Sequence, residues 1–308
     1  METTFFRITQ NDGYVTKLFY YETANTSVLG TILILHGMAE HHERYLDFIH
    51  LLNLEGFDVY TYDHRGHGTD KKLSELGYVA KKNGASLLIE DARTICNYIK
   101  EHNRAERFAL FGHSMGSLVL RCLIQTYDDI ACAVCSSSSM LPVFASKAGG
   151  LLSNAYIMFR GADRRSPFLQ NIIFGGKQYT ALCTRTTYDW LTRNNTAIGK
   201  YMDDPYCGFL CTAGFCRDLA QLAAQAAQKK RIAKTRKDLP ILFLTGSKDP
   251  VGGYGTQIRK LHKLYTSLGF SQTELIIYEE ARHELINELN AEEVCHDIIT
   301  YLHTHLDK

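Results

Sequence analysis

The sequence predicts an α/β fold: a mostly parallel central sheet, helices on both faces, and one inserted helical segment. Three observations carry this. Short apolar runs alternate with segments of helical period, the runs end in turns rich in Gly, His or Ser, and the alternation lapses between Leu141 and about Leu239. Strands that take turns with helices are joined by crossovers, which favours parallel pairing buried on both sides.

Taken in order, Thr3 to Glu22 alternates around Asn11-Asp12-Gly13 and reads as a β-hairpin. It is not read as a signal peptide, because a basic start and a continuous apolar stretch are both missing. Strands are expected at Thr31 to Leu35, Asp58 to Tyr62, Arg107 to Phe111, Ile130 to Cys135, Pro240 to Thr245 and Thr273 to Tyr278. Helical patterns lie at Leu46 to Leu54, Ser86 to Glu101, Ser117 to Thr126, Gly255 to Leu268 and Ala291 to Leu306. In the lapse, aromatic and aliphatic clusters (Tyr156 to Phe159, Ile172 to Phe174) alternate with Gly pairs and polar turns. A structureless loop of that length does not suit a compact domain. Residues 141–239 therefore read as a helical cap inserted into a core made of 1–140 and 240–308. Leu219 to Lys237 is expected to close the cap as one Ala/Gln-rich helix. Its six Lys/Arg from Lys229 to Lys237 suit a helix carboxyl end and read as a solvated face, with contact to anionic lipid heads as the alternative.

Composition narrows the function classes. With 45% hydrophobic and 22% charged residues among 308, and 5 prolines, the chain is neither disordered nor collagen-like. A formal charge of +1 gives no global attraction to nucleic acid, so no nucleic-acid partner is expected. No apolar run nears the roughly 18 residues of a membrane-spanning helix, although transient contact with a membrane surface stays open. Nine cysteines, an odd number without an export signal, suggest reduced thiols and a cytoplasmic location. Cys132 and Cys135 lie in a strand pattern where residues three apart face opposite sides, so they are not read as a metal pair. Cys207, Cys211 and Cys216 read as packing residues.

The chemistry centres on Gly112-His-Ser114-Met-Gly116, set between an apolar strand and an apolar helix pattern. The glycines leave room for a sharp turn that exposes the Ser114 hydroxyl in an unfavourable backbone conformation, and the next helix aims its amino end at the same point. A serine hydroxyl needs a base to remove its proton and an acid to orient that base. Downstream, one strand ends in a turn bearing Asp249 and the next is followed by His283, in the order such a triad requires. The carboxyl ends of parallel strands are where three separate turns converge. Acyl transfer also needs oxyanion donors: the N–H of Met115 follows the nucleophile, and that of Met38 is expected from the turn His36-Gly37-Met38.

These residues resemble the α/β-hydrolase superfamily, in its monoacylglycerol lipase and lysophospholipase-like branch, also grouped as serine aminopeptidase-like hydrolases. The similarity rests on His36 to Tyr45, Tyr62 to Gly68, Gly112 to Gly116, Asp249 to Gly252, Arg282 to Leu285, and the cap segments Tyr188 to Arg193 and Asp204 to Phe209. One departure is Thr69-Asp70, where the branch often carries Ser, which touches a turn and not the triad. The resemblance implies a cofactor-free serine esterase or lipase with a helical cap, acting on carboxylic esters with an apolar acyl chain, monoacylglycerols or lysophospholipids among them.

Other polar clusters take plainer readings. Asp63, His64 and His67 have metal-like spacing, but the resemblance implies a turn that braces the loops below the site, and His41 and His42 read as loop hydrogen-bonding residues. His283 to Asn287 lacks the second histidine of a zinc helix, and Gly252-Gly253-x-Gly255 is not a dinucleotide fingerprint, so neither metal nor cofactor is expected. His303 and His305 are expected to be exposed. Two rival functions differ in their demands. An aminopeptidase or amidase would use cap acids such as Asp163, Asp189, Asp203 or Asp204 to hold an ammonium group. A non-catalytic binding module on the same scaffold would typically lack a triad member, and all three positions are filled.

Overall fold

The computed structural model describes residues 3–307. Eight strands, β1 (Thr3–Thr9), β2 (Val15–Tyr21), β3 (Gly30–Leu35), β4 (Phe57–Tyr62), β5 (Phe108–His113), β6 (Cys132–Ser136), β7 (Ile241–Gly246) and β8 (Thr273–Tyr278), form one sheet ordered β1-β2-β4-β3-β5-β6-β7-β8. The opening hairpin forms as expected, with Thr9 opposite Val15 and Gly13 at φ 83° in the turn, a conformation that favours glycine. β2 joins β4 antiparallel, and all later neighbours pair in parallel.

The parallel strands are apolar on both sides because both sides are covered. In β3, Ile32 and Ile34 pack with α1 (Leu46–Leu54) and α11 (Ala291–Leu306), through Phe48, Ile49, Ile298 and Leu302. Leu33 and Leu35 point the other way, into a cluster with α2 (Gly84–His102), α3 (Met115–Leu123) and α10 (Thr256–Ser267). The same alternation puts Cys132 in one cluster and Cys135 in the other, so the pair cannot share a ligand. Each fully buried Leu or Ile contributes about 1.5–3 kcal/mol, so this double layer fixes where the strand ends lie.

Between β6 and β7 lie α4 (Val143–Arg160), α5 (Pro167–Phe174), α6 (Lys177–Thr180), α7 (Asn195–Asp203), α8 (Ala213–Ala226) and α9 (Lys229–Ile232). Ser166, Asn194 and Thr212 accept N–H bonds at the starts of α5, α7 and α8, which explains where those helices begin. α4 runs close along α8, where Gly149 and Gly150 face Ala220.

Three expectations need correction. The helix closing this segment is not Leu219 to Lys237: Thr212 caps it at Ala213, it stops at Ala226, and the extended Gln228 separates it from the short α9. Of the basic run, Lys229, Lys230, Arg231 and Lys234 are exposed, whereas Arg236 bonds the Asp128 and Ile130 carbonyls and Lys237 sits over Phe270. His303 and His305 are half-buried, not exposed, because α11 lays them against Phe57 and Tyr301. Among the described residues no helix is long and apolar enough to cross a membrane.

Candidate active site

Ser114 occupies the turn between β5 and α3 at φ 49° and ψ −116°, a region that side-chain-bearing residues rarely enter. The turn is that sharp because its neighbours lack side chains. A Cβ on Gly116 would come within 2.1 Å of the Leu35 carbonyl oxygen, and one on Gly112 within 2.7 Å of the Gly116 carbonyl. The conformation is held by the Ser114 N–H donating to Ser136 O at 3.0 Å and by the Ser117 N–H donating to Ser114 O at 3.0 Å.

His283 and Asp249 arrive from the turns after β8 and β7. His283 Nε2 lies 2.9 Å from Ser114 Oγ, and Nδ1 lies 3.0 Å from Asp249 Oδ1. Both His283 and Asp249 are buried. Asp249 is oriented by the Val251 N–H at 2.9 Å and the Thr245 hydroxyl at 3.2 Å, and Ser137 donates to the His283 carbonyl. Since Asp249 accepts only from a protonated Nδ1, the tautomer is set and Nε2 is left free to accept from serine. Burial opposes the imidazolium, but the Asp249 carboxylate, its hydrogen bond, and then Glu284 and Glu40 outweigh it and hold His283 more basic than an ordinary histidine. His113, 4.9 Å away between ring centres, is pushed by burial and by His283 down to about 4 and stays neutral.

The turn after β3 lies directly against the serine: a Cβ on Gly37 would stand 3.4 Å from Ser114 Cβ. Its amides are unequally engaged. Gly37 N–H donates to Glu40 Oε1 at 2.5 Å, and Ala39 N–H donates to His67 Nε2 at 3.1 Å. Between them the Met38 N–H has no protein acceptor among the described residues, and neither has that of Met115, the first residue of α3. The histidine-rich turns brace this loop as expected. His36 Nε2 accepts from the His64 N–H, His42 pairs with Asp63 at 2.8 Å, and His41 pairs with Asp204 at 2.8 Å. Asp63, His64 and His67 do not converge on one point. The one group of metal-type ligands that gathers among the described residues is His41, Asp204 and Cys207, with donor atoms within 4.8 Å of one another.

Two cavity lobes meet at Ser114. One, of about 440 Å³, is lined by Gly37, Glu40, Trp190, Tyr201 and Glu284 beside the triad. The other, of about 340 Å³, runs between α4 and α8 along Leu152, Leu169, Ile173, Ala220 and Val251. Met38, Ser114, Phe174 and Tyr179 line both. None of Asp163, Asp189, Asp203 and Asp204 reaches either lobe: Asp189 is buried on Arg185 and Thr186, Asp204 serves His41, and the other two are exposed. The carboxylates that do reach it, Glu40 and Glu284, both bind Arg44. Phe174 and Phe209 line the cavity, whereas Phe159 points away and is 80% exposed. No motif in the sequence marks Trp190 as a site residue, yet its ring lies 5.3 Å from that of His283. The segment around it is fastened to the histidine turn, with the Glu284 N–H donating to Leu191 O and Arg282 to Asp189 O and Thr192 O.

A mostly parallel sheet that brings a strained serine, an aspartate and a histidine together from the ends of β5, β7 and β8 defines an α/β-hydrolase. The profile of the family described as serine aminopeptidase, S33, matches residues 26–290, and the chain belongs to that family. It is similar to a monoacylglycerol lipase of Mycolicibacterium smegmatis, with 27% identity over 302 residues, covering 96% of this chain and 95% of that protein. It is also similar to the monoglyceride lipase of Mus musculus, at 25% identity, covering 90% and 82%. Among solved structures, a thermostable carboxyl esterase from Bacillus coagulans superposes with a TM-score of 0.90 at 24% identity, covering 99% of both chains. A soluble variant of the monoglyceride lipase from Saccharomyces cerevisiae gives 0.74 at 17% identity, covering 99% and 97%.

The geometry makes Ser114 the hydroxyl expected to react with an alkyl fluorophosphonate. Mass-spectrometric mapping should place the adduct on Ser114 and lose it in Ser114→Ala. Only a neutral imidazole can accept the serine proton, so with His283 in that role labelling should slow as pH falls, with a midpoint above that of an ordinary histidine. A label on another residue would show that the nucleophile is misassigned, and a rate independent of pH from 5 to 8 that the base is.

Proposed function

We propose that the chain is a serine hydrolase of carboxylic esters that carries an apolar acyl chain into the lobe between α4 and α8 and the alcohol into the lobe beside Glu40 and Tyr201. The observation that supports this most directly is the placement of the Ser114–His283–Asp249 chain of hydrogen bonds where the lobe between α4 and α8 meets the lobe that Glu40 and Glu284 line. In this reading Ser114 Oγ attacks the ester carbonyl while His283 Nε2 takes its proton. Asp249 holds the ring and stabilises the imidazolium, and the Met38 and Met115 N–H groups receive the oxyanion. The imidazolium then protonates the departing alcohol. Water repeats the sequence on the acyl enzyme and returns Ser114 with a free fatty acid. No cofactor enters any step.

Residues 141–239 act in this proposal as the cap whose inner face selects the acyl chain. Monoacylglycerol-like and lysophospholipid-like esters fit the two-lobed shape, and the names of the relatives point the same way. The aminopeptidase alternative loses support because the four cap aspartates are turned away from the cavity. The binding-module alternative loses it because the triad is complete. We further propose a cytoplasmic protein, on the strength of nine free cysteines, that touches lipid surfaces transiently. Phe144, Leu151 and Met158 recur every seventh residue along α4, each more than 70% exposed, beside Phe159 and Ile172. Leu152 and Ile172 also line the acyl lobe, so this patch surrounds the lobe's outer wall.

Three measurements test the reading. Across C2 to C16 esters, kcat/KM should climb with chain length until the lobe is full, each buried methylene adding about 0.8 kcal/mol. Ser114→Ala should lose on the order of 10⁶ in kcat and Asp249→Asn roughly 10⁴. Ala220→Phe should cut off the long-chain end of the profile and spare acetate and butyrate esters, while Phe159→Ser leaves water-soluble esters untouched. A flat profile unmoved by Ala220→Phe would refute the acyl lobe. Finally, Phe144→Ser with Phe159→Ser should reduce co-flotation with phosphatidylcholine vesicles, and equal flotation would remove the lipid-surface proposal.

A further inference from the structure

One guanidinium joins the two turns on which the proposed chemistry depends. Arg44 lies in the 3₁₀ turn His42–Tyr45, just after the Met38 loop, with its side chain 11% exposed. Its Nη1 donates to Glu40 Oε2 and Glu284 Oε1, and its Nη2 to Glu284 Oε2, each at 2.6 Å. Glu40 uses its other oxygen for the Gly37 N–H at 2.5 Å and the Tyr45 hydroxyl at 2.8 Å. Glu284 follows His283 in the chain. The Arg44 Cζ lies over the Tyr201 ring on α7, 4.7 Å from its centre, and the Tyr201 hydroxyl donates to the Ala39 carbonyl at 3.1 Å. A single side chain thus touches the turn that presents the Met38 N–H, the turn that presents His283, and a helix of the inserted segment.

We propose that Arg44 is a positioning residue: it fixes the Met38 turn and the His283 turn relative to each other, so that the oxyanion donor and the general base address the same carbonyl.

This rests on the hydrolase reading given above. The geometry favours such a role over stability alone. A buried ion pair spends most of its Coulombic gain on desolvation and adds little net stability. A planar fork, in contrast, binds carboxylates with fixed direction, which a lysine cannot reproduce. The cluster also carries charge toward the base. Two carboxylates share one cation, and the residual negative charge faces His283 together with Asp249 from the β7 turn. The remaining neighbours of the imidazole, His113 from β5 and Trp190 from the cap, are neutral. Moving or discharging a member of the cluster therefore alters both the alignment of the site and the basicity of His283.

The experiment compares the native protein with Arg44→Lys, Arg44→Met and Glu284→Gln on a soluble short-chain ester. Active sites are counted by fluorophosphonate titration, so that kcat is expressed per folded site. Arg44→Lys should lower kcat by about 10²-fold with KM little changed, the size expected from a displacement of about 1 Å. It should weaken a trifluoromethyl ketone analogue of the tetrahedral intermediate by a similar factor. Arg44→Met should move the acid limb of kcat/KM to higher pH, since two carboxylates then face His283 without their cation. Glu284→Gln keeps size and shape and should move that limb to lower pH, which gives a readout even if Arg44→Met fails to fold. Unchanged kcat per site with an unmoved acid limb in the folded variants would overturn the proposal and reduce Arg44 to a structural residue. A native protein that neither turns over esters nor takes the label would overturn the hydrolase reading first, and the positioning role with it.

Discussion

The backbone of Ser114 is the constraint from which the rest of the site follows. A residue at φ 49° and ψ −116° costs on the order of 1–3 kcal/mol, and it persists where the surroundings leave no alternative. Here the surroundings are two packed layers. β5 cannot shift because Phe108 and Leu110 are buried on one face and Ala109 and Phe111 on the other, and α3 cannot retreat because Val119, Leu120 and Leu123 are wholly buried beneath it. The chain must turn within one residue, and the hydroxyl is left standing above the sheet. The rest of the site is arranged around that fixed point: the Met38 turn, the imidazole, and the helices between β6 and β7 that line the cavity.

Much of this was legible in the sequence, for a physical reason. Ser114, Asp249 and His283 each sit where an apolar strand gives way to a turn, so local pattern alone located them and chain order sorted them into roles. The same holds for β8 and α1, whose expected limits match the structure residue for residue. What was hidden depends on long-range contact or on helix rotation. Arg44 and Glu284 are 240 residues apart, and no periodicity announces that they will meet. The cluster Tyr156 to Phe159 is a second case. Four successive apolar residues span most of a helical turn, so the pattern declares no inner face. The fold turned Tyr156 and Ile157 toward α5 and α8 and left Met158 and Phe159 outside. The closing cap helix was placed too late because its start is set by a single threonine cap, a signal weaker than the Ala-rich stretch that follows it.

Electrostatically the site is asymmetric. Asp249, Glu40 and Glu284 surround His283 with negative charge, Arg44 offsets part of it, and the nearby histidines are held neutral by burial. Glu40 shows how firmly the charges are kept: burial raises its pKa, yet Arg44 foremost brings it down to about 2. An imidazole embedded in such a field favours its cationic form, which suits the proposed role of taking the serine proton.

The two-lobed cavity has a consequence for the order of events. Because the lobes meet at Ser114, the alcohol can leave by one while the acyl chain stays lodged in the other, still esterified to the serine. The emptied lobe is then the approach by which any second nucleophile reaches the carbonyl. Its occupancy sets the fate of the intermediate: flooded with water it yields an acid, and filled with another alcohol it yields a new ester. On the proposed reaction, the balance between hydrolysis and transesterification is decided by how well the wall of Glu40, Tyr201 and Glu284 retains water once the first product has gone.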